Sequence, residues 1–184
     1  RALRDTVIIG IETNREFLVD ALGHANFAAG AATTAFIEQE YPGGYSRPAV
    51  PRAALAIGAL LMFLEGEERS LRRRVHDDSA CAGMTGTRPI DTVYALGPGA
   101  EVVSLRFEGN DRYAARLAGE LFELCLEDAP RRGRLCLTCA GLRSVVAYAP
   151  VDEFTVSFQW RGATYTLEDA LGATAAAPEG AGGS

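Results

Sequence analysis

Ala53 to Leu64 reads Ala-Ala-Leu-Ala-Ile-Gly-Ala-Leu-Leu-Met-Phe-Leu, twelve residues without a polar side chain. Pro51, a residue tolerated in the first turn of a helix, stands ahead of it. Glu65, Glu67 and Glu68 come next, then Arg69, Arg72, Arg73 and Arg74. The pattern predicts one helix over Pro51 to Val75, with basic residues at its end to suit the negative pole of the helix dipole. Its middle is apolar all round, which demands burial on every side. A membrane span needs roughly 20 apolar residues, so the run is too short for lipid. Something in the chain must therefore wrap it, and Ala53, Ala54, Ala56, Gly58 and Ala59 keep it thin enough for neighbours to come close.

From Asp91 onward the period changes to two. Strands are predicted over Thr92–Leu96, Glu101–Glu108, Arg112–Leu117, Leu121–Glu127, Arg134–Cys139, Leu142–Tyr148, Phe154–Trp160 and Ala163–Leu167. Turn signals separate them, among them Asn110-Asp111, Ala118-Gly119, Ala140-Gly141 and Arg161-Gly162. Val103, Leu105 and Phe107 alternate with Ser104, Arg106 and Glu108; Phe154, Val156, Phe158 and Trp160 alternate with Thr155, Ser157 and Gln159. One dry and one wet face mean an antiparallel sheet folded over a core. Strands of about six residues are about 20 Å long, and twelve helical residues span about 18 Å. The expected fold class is α+β: a short αβ segment, then an antiparallel eight-stranded β-barrel wrapped around one long helix. Eight strands leave little room for a helix, so the barrel should be splayed or incomplete.

Ahead of the helix, Thr6 to Ile11 has the look of a buried strand, and Thr13-Asn14-Arg15-Glu16 has the form of a capping box. A helix is predicted over Asn14 to Leu22, ended by Gly23, then a loop at Asn26 to Ala32 and a second helix at Thr34 to Glu40. These elements cannot make a core of their own and are expected to be the tail of a larger domain. The expected divisions are a remnant at 1–42, a linker at 43–50, the helix-and-barrel domain at 51–171, and a flexible linker at 172–184.

Composition removes several functions. The net charge of -6 argues against a nucleic-acid groove or an anionic membrane as partner. All 18 basic residues are Arg, which excludes a lysine Schiff base, a Walker-type phosphate lysine and a lysine-attached cofactor on this chain. Four Cys without a secretory signal point to a reducing cytoplasm. Cys136-Leu137-Thr138-Cys139 is a CxxC, but residues three apart on a strand face opposite ways, so two separate thiols are the better reading than zinc or redox chemistry. His76-Asp77-Asp78 has metal-ligand types with only His24 to assist, and a solvated helix end is the better reading. Gly97-Pro98-Gly99 is a hairpin turn, since a phosphate loop would need a helix after it.

A resemblance enters at the N-terminal end. Gly10-Ile11-Glu12-Thr13-Asn14-Arg15-Glu16-Phe17-Leu18, then Asn26-Phe27 and Gly30, then Thr33 to Glu38, resembles the C-terminal end of a biotin carboxylase domain. The long helix and the strands after it look like the middle domain of the α subunit of biotin-dependent acyl-CoA carboxylases of the 3-methylcrotonyl-CoA, geranyl-CoA and propionyl-CoA type. The resemblance implies a long helix inside a β-barrel that ties biotin carboxylase to the carboxyltransferase β subunit in a cytoplasmic hetero-oligomer. It implies a biotin carrier domain beyond the linker. The parent enzyme would be an ATP-dependent ligase using biotin, ATP and Mg2+, while this chain would hold no cofactor, no metal and no catalytic residue. By position in the family, the contact with the β subunit would involve His76 to Pro89 and the arginines beside it: Arg69, Arg72, Arg73, Arg74, His76, Asp77, Asp78, Met84 and Arg88. Two other readings stand beside it. One is a small-ligand-binding β-barrel whose cavity would be lined by Phe154, Phe158 and Trp160; the other, a stand-alone enzyme, lacks convergent His, Lys and carboxylate groups.

Overall fold

The computed structural model describes residues 2–76, 91–128, 131 and 133–176. Helix α1 (Ala2–Asp5), α2 (Arg15–Gly23), α3 (Ala25–Ala28) and α4 (Phe36–Glu40) precede the long helix α5 (Arg52–His76). Eight strands come after it: β1 (Asp91–Leu96), β2 (Glu101–Gly109), β3 (Arg112–Leu117), β4 (Glu120–Leu126), β5 (Arg134–Cys139), β6 (Leu142–Pro150), β7 (Thr155–Trp160) and β8 (Ala163–Glu168). Helix α6 (Ala170–Ala176) ends the described chain.

The strands form one antiparallel meander in the order β1 to β8, each paired with its neighbours in sequence. The alternation in the sequence therefore places these strands to within two residues at either end. Two-residue connections with positive φ at both positions, such as Ala118-Gly119 (48° and 81°) and Ala140-Gly141 (49° and 76°), have the twist that tight hairpins require. The barrel is nearly closed. Its first and last strands meet only near their ends, through a bridge between Leu96 and Asp169.

Helix α5 starts on Pro51, whose carbonyl accepts from the amides of Ala54 (2.8 Å) and Leu55 (3.3 Å). Residues 54–63 are all buried, on every side of the helix. Helix α5 contacts β1, β2, β3, β4, β6, β7 and β8. Leu55, Ile57, Leu60 and Leu61 join Val103, Leu105, Leu124, Leu135, Val146 and Phe158 in one core, all with 2% exposure or less. Phe63 meets Tyr113 edge-on at 5.8 Å between ring centres.

Five expectations need correction. Thr6 to Ile11 is not a strand; it is irregular and mostly exposed. The Thr13–Glu16 capping box does not form. The Thr13 hydroxyl accepts only from the Arg15 amide (3.4 Å), and the Glu16 carboxylate instead accepts from the Thr164 amide (2.7 Å). A helix, α3, overlaps the start of the expected loop at Asn26 to Ala32. The stretch expected to be linker from Gly172 begins as α6, because the Asp169 carboxylate accepts from the amides of Leu171 (3.2 Å) and Gly172 (3.1 Å) and so starts a helix there.

The outward face of β7 is also not wet. Ser157 and Gln159 are 1% and 7% exposed. Helix α1 meets Gln159 and helix α2 meets β8: the Gln159 Nε2 amide donates to the Arg4 carbonyl (3.2 Å), and the Arg15 guanidinium donates to the Thr164 hydroxyl (3.0 Å).

Candidate functional site

Where α5 leaves the barrel, its last described turns form a rim with the loop between β6 and β7. Arg69 donates to the carbonyls of Glu153 (2.9 Å) and Asp152 (3.5 Å), tying the helix to that loop. Arg72 pairs with Glu68 one turn back. The Asp152 carboxyl is held below its usual range by the amide of Phe154 (2.8 Å) and then by the Thr155 hydroxyl, which keeps the loop in shape. A cavity of about 190 Å³ lies between Glu65, Glu68, Arg69, Arg72, Gly133 and Pro150. Beside it, burial pushes the Tyr148 phenol up to about 12, aided by the charge of Glu65 and a hydrogen bond to it. Tyr94 is likewise raised, first by burial and then by Asp169, with Arg69 opposing. The rim therefore mixes carboxylates with guanidinium groups instead of presenting a uniformly positive face.

Of the expected contact residues, Arg69 and Arg72 stand on this rim. The backbone of Arg73, Arg74 and His76 continues α5. Their side chains lie outside the described residues, as do Asp77, Asp78, Met84 and Arg88 altogether. The structure brings Arg69 to the β6–β7 loop, a partner that sequence spacing does not reveal because it lies 84 positions away.

The other motifs separate. Cys139 is buried, and burial pushes its thiol up; Cys136 is half-buried on the opposite face of β5. His24 caps α3, accepting from the Asn26 amide (3.4 Å), with its other nitrogen 3.4 Å from Glu40. Among the described residues, no group of three or more His, Cys, Asp or Glu is arranged to hold a metal, and no helix is long and apolar enough to cross a membrane.

Sequence reasoning missed two polar clusters. The first is Asp169, 8% exposed, whose carboxylate accepts from the Ala95 amide (3.0 Å) as well as from the start of α6. It stitches β1 to the end of β8, and its place just before Ala170-Leu171 was a legible helix-start signal. The second is Arg15, 3% exposed, which donates to the carbonyls of Leu3 (3.2 Å) and Thr6 (3.4 Å) as well as to Thr164. Nothing local distinguishes it. A larger cleft, about 540 Å³, lies on the N-terminal helices between Asn14, Phe17, Ile37, Tyr41, Tyr45 and Arg47. Arg47 is bound there to Glu12 (3.4 Å) and Glu16 (3.6 Å).

No known protein-family model matches the chain, and neither does any curated protein.

Proposed function

We propose that this chain is an assembly domain from the α subunit of a biotin-dependent acyl-CoA carboxylase, a barrel wrapped around a central helix that joins biotin carboxylase to the carboxyltransferase β subunit. The observation that carries the reading is the helix with ten successive buried residues against seven of eight meandering strands. That packing supports a solid post over a binding vessel. Leu167 and Phe158 reach to the helix so closely that a Cβ on Gly58 would lie 2.5 Å from Leu167 Cδ1 and 3.6 Å from Phe158 Cε1. These atoms occupy the space a small ligand would need, which counts against the ligand-binding alternative.

Residues 1–42 are read as the end of a biotin carboxylase domain. Supporting this, Ile11 (70%), Ile37 (56%) and Val7 (52%) leave large apolar side chains in solvent, as expected of a segment that packs on more protein. Biotin, ATP and Mg2+ belong to other parts of the parent enzyme. This chain has no Lys to carry biotin, so no chemical step is assigned to it. Its work is to hold two remote active sites in one frame.

Co-expression with a carboxyltransferase β subunit of this enzyme class tests the reading. The chain should co-elute with the β subunit, and shortening the segment 77–89 should abolish co-elution while circular dichroism stays unchanged. Failure of the intact chain to co-elute with β subunits of the 3-methylcrotonyl-CoA, geranyl-CoA and propionyl-CoA types would sink it.

A further inference from the structure

The N-terminal helices are gripped by the barrel in a way that sets direction more than strength. Two adjacent residues of α2 seize one residue of β8: Arg15 donates to the Thr164 hydroxyl (3.0 Å) and Glu16 accepts from the Thr164 amide (2.7 Å). A third tie joins β7 to α1, from Gln159 Nε2 to the Arg4 carbonyl (3.2 Å). Gly162, between β7 and β8, lies beside Arg4: a Cβ there would make ordinary van der Waals contact, 3.7 Å, with the Arg4 side chain. Arg15 also holds α1 to α2 through the carbonyls of Leu3 and Thr6. The ties fall on two helices and two strands, so they fix rotation as well as position.

The energetics point the same way. A guanidinium that is 3% exposed, with Nε lacking a hydrogen-bond partner, is an expensive group to bury. An apolar side chain of similar size would cover the same face of β7 and β8 at less cost. What the apolar side chain would lack is direction, because hydrogen bonds accept few geometries and hydrophobic contact accepts many.

We propose that Arg15, Glu16, Thr164 and Gln159 form an orienting joint that locks the N-terminal helices to the outer wall of the barrel as one rigid body. Its purpose rests on the assembly reading, in which a fixed angle between the two parts sets the path between active sites. Its test needs only this chain, so failure of β-subunit binding leaves the joint standing and the reverse holds equally.

Residual dipolar couplings on the isotope-labelled chain supply that test. Amides of residues 15–40 and of the barrel strands should fit a single alignment tensor in the parent. Arg15→Met should keep a melting temperature close to the parent's, yet require two tensors. Thr164→Val, which removes the hydroxyl from the barrel side and leaves the helices untouched, should do the same and decides the matter should Arg15→Met fail to fold. Glu16→Gln, which retains an acceptor for the Thr164 amide, should keep one tensor. Two tensors in the parent, or one tensor in both Arg15→Met and Thr164→Val, would overturn the proposal.

Discussion

At Gly58 one added carbon meets the opposite wall of the barrel, 2.5 Å from Leu167 Cδ1. Leu167 is 1% exposed, packed within the core. Gly58→Leu should therefore overpack the interior and cost on the order of 1–3 kcal/mol, read as a lower midpoint in urea unfolding. Asp169 works at the seam by hydrogen bonding. Asp169→Ala would strand the buried Ala95 amide and leave α6 without its start, so a loss of about 1–3 kcal/mol is expected, with α6 amides losing protection first. Tyr148 gives the chain an alkaline limit. Its phenol titrates at about 12 in the fold against 10.0 when free. A raised folded value means that the stability it confers is intact below pH 10.0 and disappears as pH climbs through about 12. The urea midpoint should fall across that interval, and less steeply in Tyr148→Phe. An unchanged slope would place the alkaline sensitivity on other groups.

The hairpins carry their own prediction at the scale of elements. Ala118 and Ala140 are exposed and sit at φ 48° and 49°, a region where a Cβ is strained and where Asn fits better. Ala118→Asn and Ala140→Asn should each raise stability by a few tenths to about 1 kcal/mol. Urea midpoints that do not move, or that fall, would mean the turns are not under strain. These turns also explain what could be read in advance. A residue-Gly pair between alternating runs reveals a strand pair within about twenty positions, so β1 to β8 and the apolar half of α5 were legible. The joint at Thr164 was not. Arg15 and Thr164 are 149 positions apart, and Gln159 looks like a solvent-facing polar residue until it bonds Arg4 of α1. Glu16 misled for a local reason: its spacing from Thr13 satisfies a capping box, yet an unpaired edge amide on β8 is the stronger claimant for its carboxylate.

In the molecule as a whole, α5 touches seven strands of a meander in which each strand pairs with its neighbours in sequence. Withdrawing any of those seven strands would expose part of the helix. Opening of the barrel should therefore be all-or-none. The N-terminal helices have no such shared core. Their packing centres on a small aromatic group, Phe17 with Tyr41 (5.2 Å) and Tyr45 (5.7 Å), while Leu22 and Phe27 stay exposed. Native-state hydrogen exchange separates the two regimes. Amides of Leu55 to Leu61 and of the inner strands should share one opening free energy equal to that of global unfolding, whereas amides of Glu16 to Glu40 should exchange through a smaller, local opening. Arg15→Met should lower the protection of that second group and leave the first unchanged, because the joint belongs to the outer wall. Exchange of α5 ahead of β4 or β5 would mean that helix and barrel can part, so that the two do not open as one cooperative unit.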